Sequence, residues 1–466
     1  MDLNIIILAA GKGSRMHSTI PKVLHKIGDV ELLKHVIVTA NFLAPKKIII
    51  VYGHLGELVK STISESLANI KLNDTTQLVW VEQSQQLGTG HAIKLCLDSL
   101  DPNCPTVVLY GDVPLIKSNT IVNMLHKHDM RNIVMLTAII PDPTNYGRIM
   151  RNEANKIIKI TEEKDLQSQT ERDICEINTG FYVLPTTELK NLLTKITNHN
   201  QQQEYYLTDI VEIAVAHNIA IENIIIKDHI EIMGVNNKLQ LEQLERMYQL
   251  RLADNLLLKG LTLFDKTRID IRGDLIFGLN CVIDVNCIFI GNVELGNNVQ
   301  IGANCILKNV TIGDNVIINP YTIIDGIAKI ANNCKLGPFS RVRPDTVLEE
   351  NVHIGNFVEL KKSTIGTNSK VNHLTYIGDA IVGNNVNIGA GTVTCNYDGQ
   401  KKSSTVIEDN VFVGSGTMLV APVTLEEGSV IGAGSTITKN APKDELTLAR
   451  TKQVTLNGWL KKNRQK

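Results

Sequence analysis

Two groups of polar residues in this chain are spaced for chemistry. The first begins with Leu8-Ala9-Ala10-Gly11-Lys12-Gly13-Ser14-Arg15-Met16, soon followed by Pro21-Lys22. Glycines 11 and 13 let backbone N–H groups approach phosphate oxygens, and Arg15 adds a planar cationic fork. The run is not a dinucleotide fingerprint, because Met16 stands where the third glycine would fall, and it lacks the G-K-[ST] ending of a P-loop. Alone, such glycines suit a tight turn equally well. Downstream lie Gln86-Leu87-Gly88-Thr89-Gly90-His91 and Tyr110-Gly111-Asp112-Val113-Pro114. Asp112 either meets a cation there or caps a helix. The second group is Arg343, Glu359, Lys361, His373, Tyr376, Asn387, Asn396 and Tyr397. A histidine titrates near neutrality and can take a proton at a reacting amine. The carboxylate and two cations in the same stretch set His373 apart from an ordinary solvated surface histidine.

The elements that must hold the first group read as α/β. Apolar runs at Ile5-Ile6-Ile7-Leu8, at Ile48 to Tyr52 closing on Gly53, and at Thr106 to Tyr110 closing on Gly111-Asp112 predict buried strands. Helical spacing such as Leu32-Leu33-x-x-Val36-Ile37 lies between them. A parallel sheet covered on both faces is expected over residues 1–237. Its sites belong beyond the C-terminal strand ends, at the Gly11, Gly53 and Gly111-Asp112 loops. Residues 238–259 carry Leu241, Leu244, Tyr248 and Leu252 at helical spacing and stop at Gly260, so one linking helix is expected.

From residue 260 to 466 the pattern is all-β. An aliphatic residue recurs every sixth position at Leu295, Ile301 and Leu307, then from Ile312 through Ile318, Ile324, Ile330, Leu336, Val342, Leu348 and Ile354 to Leu360. It returns in shifted phase at Val413, Leu419, Leu425, Ile431 and Ile437. A strict period of six is that of a left-handed parallel β-helix, with about 18 residues per three-sided coil. Phase slips at 366–372 and 396–404 predict extruded loops that carry function.

A chain of 466 residues calls for two or more domains, and 47 basic against 48 acidic residues give a net charge of −1. That balance argues against nucleic-acid and membrane-surface partners. Eight cysteines show no C-x-x-C spacing, which predicts buried thiols in a reducing compartment. The apolar run Ile5 to Ala10 has no basic leader and no stretch reaches membrane-spanning length, so a cytoplasmic protein is expected.

Taken in order, these motifs resemble the sugar-nucleotide pyrophosphorylases. Within them the chain is most similar, over nearly its whole length, to the bacterial bifunctional N-acetylglucosamine-1-phosphate uridylyltransferase/glucosamine-1-phosphate N-acetyltransferase family. The resemblance implies a Rossmann-like nucleotidyltransferase domain at 1–237 that joins N-acetylglucosamine 1-phosphate to UTP. Leu8, Ala9, Ala10, Gly11, Thr89 and Gly111 would line that site, and Gln83 and Gly88 would read the uracil edge. Arg15 and Lys22 would neutralise the phosphates, while Asp112 and Asn236 match Mg²⁺ ligands. Tyr110, Gly147, Glu162 and Asn178 would hold the acetylated sugar. Ser14 stands where relatives usually carry Thr, and Glu163 where some carry His, beside the expected Glu162. Asn236-Asn237 precedes the linking helix, where an N-cap is the ordinary role.

By the same resemblance the β-helix acetylates glucosamine 1-phosphate with acetyl-CoA. His373 would be the base with Glu359 orienting its ring, and Arg343 and Lys361 would clamp the sugar phosphate. Tyr376, Asn387, Asn396 and Tyr397 would bind the rest of the sugar. Ala390, Ser415, Ala433 and Arg450 match contacts to acetyl-CoA. A homotrimer is expected as well, since three-sided solenoids pair flat faces under closed symmetry. The alternative is a single-activity nucleotidyltransferase whose β-helix is structural or regulatory, which would release no CoA. A basic tail at 459–466 would cover a neighbour or fray.

Overall fold

The computed structural model describes residues 2–68, 70 and 72–460. Most of the basic tail, residues 461–466, lies outside the described residues. The chain divides into two compact units, Met1–Tyr248 and Gln249–Lys466, with the division inside the helix Lys238–Leu258. Among the described residues no helix is long and apolar enough to cross a membrane.

The first unit is built on a sheet whose main strands run in the order Ile221–Ile226, Ile133–Ile139, Glu176–Leu184, Thr106–Tyr110, Asn4–Leu8, Lys47–Tyr52 and Gln77–Glu82. Alternation assigns its two faces. Ile5 and Ile7 pack with Leu33, Ile37, Val59 and Ile63, while Ile6 and Leu8 pack with Ile93, Leu192 and Ile210. Both sets are buried, which is why these strands read as unbroken apolar runs.

The sheet is not wholly parallel. Glu176–Leu184 runs antiparallel to both of its neighbours. The chain between it and Ile133–Ile139 forms a hairpin, Arg148–Arg151 against Ile157–Thr161, rather than the helical crossover that a parallel return requires. In the parallel part Leu8 lies level with Val51 and Tyr110, and Tyr52 with Glu82. The loops at Gly11, Gly53, Gln83–Gly88 and Gly111-Asp112 therefore open at one end.

The second unit is a parallel β-helix. Leu295, Ile312, Ile330, Leu348, Ile365, Val382, Ile407 and Leu425 form one of its aliphatic rows, each at most 5% exposed. Burying each such side chain contributes roughly 1.5–3 kcal/mol, summed along a single continuous core. Gln249 closes the open edge of the first coil: its Nε2 donates to the Ile271 carbonyl and its Oε1 accepts from the Ile271 N–H, both at 2.8 Å. One corner is held by asparagines in the left-handed region, including Asn280, Asn298, Asn315, Asn333, Asn368, Asn385 and Asn410. Their amides bond upward in a ladder, Asn280 to Asn298 at 3.0 Å and Asn385 to Asn410 at 3.4 Å.

The two phase slips have different causes. Between Leu360 and Ile365 one side is a residue short, so the expected loop at 366–372 is absent and Lys370–His373 is a strand in the stack. At 396–404 extra residues do leave the coil, as a small turn with a Tyr397–Lys402 bridge whose Asp398 carboxylate accepts from the N–H groups of Gln400 and Lys401. All eight cysteines are free thiols; Cys175 is exposed and Cys395 partly so, against the expectation of uniform burial.

Candidate functional site

In the first unit a cleft of about 290 Å³ opens at the C-terminal strand ends. It is lined by Leu8, Ala9, Ala10, Gly11, Lys22, Gln83, Gly88, Thr89, Tyr110 and Asp112, all expected from sequence, and by Val23, Gln86, Ala92 and Glu204, which were not. Gln83 is buried, donating to the Gly88 carbonyl at 3.0 Å and meeting His91 Nδ1 at 3.2 Å. Gln86 donates to the Ala10 carbonyl at 2.5 Å, tying the two loops together. It lies inside a motif that sequence had already marked, while nothing local distinguishes Glu204.

Lys22 lies between two oxygens. Its ammonium pairs with Asp112 and donates to Asn236 Oδ1 at 3.0 Å. The helix cap falls to the next residue, since Gln240 N–H donates to Asn237 Oδ1 at 2.9 Å, and the Asn236 oxygen is taken up by Lys22, which lines the cleft. Asp112 and Asn236 thus present two hard oxygens to one positive charge. Arg15 lies on the exposed turn Ser14–Met16 and does not line the cleft.

The residues expected on the sugar side gather around Tyr110, which lines this cleft and feels the Glu162 charge. Gly147 precedes the Arg148–Arg151 strand and Glu162 follows the Ile157–Thr161 strand, so the antiparallel register sets them opposite one another. A Cβ built on Gly147 would lie 3.4 Å from Glu162 Oε2, so the missing side chain leaves room in front of that oxygen. Glu162 Oε1 accepts from the Thr208 hydroxyl at 3.0 Å. Burial raises the Glu162 pKa above the ordinary carboxylate range, the Thr208 hydrogen bond opposes that shift, and Asp165 adds to it. Asn178 is buried, its Oδ1 accepting from the Tyr182 hydroxyl at 3.0 Å and its N–H donating to the Gly147 carbonyl at 2.8 Å. Tyr110 covers Gly180, where an added Cβ would lie 2.5 Å from its ring. Thr208 was missed because no periodic pattern marks the segment that carries it.

In the second unit parallel stacking sets Glu359 level with Tyr376, and Asn356 level with His373. The structure gives the His373 ring a different partner from the one expected. Its Nδ1 meets Asn356 Oδ1 at 2.9 Å, while the Glu359 carboxylate pairs with Arg343 at 3.0 Å. The reason is register: Asn356 and His373 share a strand pair, and Glu359 lies on the next side of the coil. In a neutral ring, with the amide oxygen accepting, that contact places the proton on Nδ1 and leaves Nε2 as the acceptor.

Lys361 is held by Asp379 at 3.1 Å, and Asn396 donates to the same carboxylate and lies 3.5 Å from the Tyr376 hydroxyl. Asn356 and Asp379 are the residues sequence reasoning missed here. Asn387 pairs in register with Lys370, and Tyr397 is exposed on the extruded turn. A column of small residues rises from His373. The Gly391 N–H donates to the His373 carbonyl, the Gly416 N–H to Ala390, and the Gly434 N–H to Ser415. Arg450 Nη1 closes the column by donating to the Ala433 carbonyl at 2.9 Å.

Known proteins match both units. The MobA-like NTP transferase domain matches residues 5–169, the GMPPB C-terminal domain residues 321–430, and the hexapeptide repeat of succinyl-transferase residues 292–319. The bifunctional protein GlmU of Nitrosomonas eutropha is 49% identical over 468 residues, covering 100% of each chain. That of Cupriavidus pinatubonensis is 50% identical over 457 residues, covering 98% of each. A crystal structure of UDP-glucose pyrophosphorylase complexed with UDP-glucose, 18% identical with a TM-score of 0.44, covers 53% of this chain and 98% of its own. With relatives of near 50% identity running through both units, the chain belongs to the GlmU family of bifunctional proteins.

Proposed function

We infer that the chain acetylates glucosamine 1-phosphate with acetyl-CoA and then transfers UMP from UTP to the product, giving UDP-N-acetylglucosamine and pyrophosphate. The observation that carries this is the full-length match to bifunctional relatives, which takes in both site constellations. Residues 1–237 would perform uridylyl transfer, 238–259 link, and 260–466 perform acetyl transfer, with three copies assembling and working in the cytoplasm.

In the first reaction the sugar ammonium gives up a proton to the lone pair on His373 Nε2, and the amine so formed attacks the thioester carbonyl. The C–S bond then breaks to release CoA, which takes up a proton. The Asn356 contact at Nδ1 keeps the ring in the tautomer this needs. Lys361, fixed by Asp379, and Arg343, paired with Glu359, supply positive charge for the sugar phosphate. The Ala390–Ser415–Ala433 column leaves a narrow track of small side chains along which a pantetheine arm can lie, ending at the Arg450 charge.

In the second reaction attack at the α-phosphorus needs charge neutralisation and alignment more than covalent help. Gln83, the Gly88 backbone and Lys22 hold the nucleotide, and Glu162, Asn178 and the space at Gly147 hold the sugar. The position of the Lys22 ammonium between Asp112 and Asn236 supports the fit of this oxygen pair to a cation. Mg²⁺ bound by Asp112 and Asn236 would add neutralisation of phosphate charge.

Product analysis by mass spectrometry tests the reading, with glucosamine 1-phosphate, acetyl-CoA, UTP and Mg²⁺ supplied together. UDP-N-acetylglucosamine, CoA and pyrophosphate are expected. Asp112→Ala should stop at N-acetylglucosamine 1-phosphate, and His373→Ala should make UDP-N-acetylglucosamine only from supplied N-acetylglucosamine 1-phosphate. Both activities surviving in both variants would refute the assignment.

A further inference from the structure

The sugar side of the uridylyl site depends on two lips of chain, Tyr146-Gly147 and Glu162-Glu163, that meet at the open end of a hairpin. Backbone pairing begins one residue along the strands, with Arg148 opposite Thr161, while the Asn178 N–H holds the Gly147 carbonyl and the Thr208 hydroxyl holds Glu162. One side chain reaches both lips. The Arg148 guanidinium donates through Nη1 to the Tyr146 carbonyl, and its Nη2 lies 2.8 Å from Glu163 Oε2. Tyr146 flanks Gly147 and Glu163 flanks Glu162, so one guanidinium joins the neighbours of both residues, by a hydrogen bond to Tyr146 and by an ion pair without hydrogen-bond alignment to Glu163.

The Arg148 side chain is 3% exposed and that of Glu163 is 29% exposed. Arg148 Nε is buried without a partner among the described residues. Among the described residues Glu163 is the carboxylate in ion-pair contact with this charge, Asp142 feels it at longer range, and Arg172 Nη1 lies 4.0 Å from the other Glu163 oxygen. A buried guanidinium is costly to separate from the carboxylate it touches, so the pair resists any widening of the gap.

We propose that Arg148 and Glu163 are a positioning pair for the uridylyl reaction, setting the distance between the open Cα of Gly147 and the Oε2 of Glu162. A sugar hydroxyl or acetamido group is held in that gap, and neither Arg148 nor Glu163 touches it. The inference rests on the reading of Glu162 as a sugar-binding residue.

The test measures kcat and KM for N-acetylglucosamine 1-phosphate and for UTP by pyrophosphate release in the full-length enzyme. The variants are Glu163→Gln, the double Arg148→Met/Glu163→Leu, and Glu162→Gln as reference. Acetyl transfer by the same preparations and a thermal scan report folding. Glu163→Gln should raise the sugar KM about tenfold, the size of effect that about 1.4 kcal/mol produces, with the UTP KM within about twofold. The double variant leaves no charge buried alone, so its melting temperature should return toward the parent while the sugar KM stays high. A pair with a purely structural role would recover both together, and that result overturns the proposal. An unchanged sugar KM in Glu163→Gln, with Glu162→Gln raising it, also overturns the proposal while leaving the Glu162 reading intact. An unchanged sugar KM in Glu162→Gln removes that reading, and the proposal with it.

Discussion

Asp209 is a carboxyl in an unfavourable place, and replacing it should stabilise the first unit only above a definable pH. It ends the short turn Leu207–Asp209 and is partly buried, and no described residue donates a hydrogen bond to its side chain. Burial, then the charges of Glu162, Glu212 and Asp165, raise its pKa from 3.8 to about 6. In the unfolded chain the group titrates near its ordinary value. The folded state therefore loses stability as pH rises from about 4 through about 6, and the loss is complete above that range.

Two units of displacement correspond to about 3 kcal/mol. Solvent reaching a partly exposed carboxyl reduces this to roughly 1.5 kcal/mol. The chain has two tryptophans, Trp80 in the sheet of the first unit and Trp459 near the C-terminus. In a Trp459→Phe background Trp80 fluorescence follows unfolding of the first unit alone. At pH 8 Asp209→Asn should raise the urea midpoint by about 0.5 M, taking an m-value of roughly 3 kcal/mol per M. At pH 4 the two midpoints should coincide. An equal gain at both pH values would show that charge burial is not the cause.

Three further outcomes are expected. Thr208→Val removes the hydrogen bond that opposes the upward shift of Glu162, so the acid limb of kcat/KM for the sugar phosphate should move to higher pH; a profile superimposable on the parent's would refute that role. Gly147→Ala places a Cβ 3.0 Å from Ile160 Cγ2 and 3.4 Å from Glu162 Oε2, and should raise the sugar KM about tenfold with the UTP KM unmoved. Asn356→Ala frees the His373 ring and should cost acetyl transfer about 1 kcal/mol, roughly fivefold in kcat, while uridylyl transfer from supplied N-acetylglucosamine 1-phosphate continues unchanged.

Much of this was legible in the sequence, and what escaped has physical reasons. A period of six admits one architecture, so the aliphatic rows of the β-helix followed from counting. Apolar strands ending in glycine located the cleft because parallel sheets bind ligands at those ends. The direction of Glu176–Leu184 was hidden, since an apolar run is the same read either way and the missing crossover helix is the only local sign. The slip after Leu360 was misjudged because a side one residue short and a side with an insertion disturb the phase alike. The His373 partner depended on which residues stack one coil apart, and that needs the corner lengths. Arg15 fitted the phosphate motif, yet its turn leaves it in solvent.

Most steps of the asparagine ladder span 17 or 18 residues, but the step from Asn385 to Asn410 spans 25. The surplus is the extruded turn, and the ladder closes above it as it does elsewhere. The scaffold is therefore almost indifferent to chain length at that corner: doubling such a loop costs about 0.6 kcal/mol in closure entropy. Insertions there are nearly neutral for folding and so can persist long enough to be tried for function. The turn that carries Tyr397 beside the acetyl-transfer residues is the kind of addition such a corner accumulates. Heritable variation in what this solenoid binds is expected to collect at its corners, while its sides drift only among aliphatic residues.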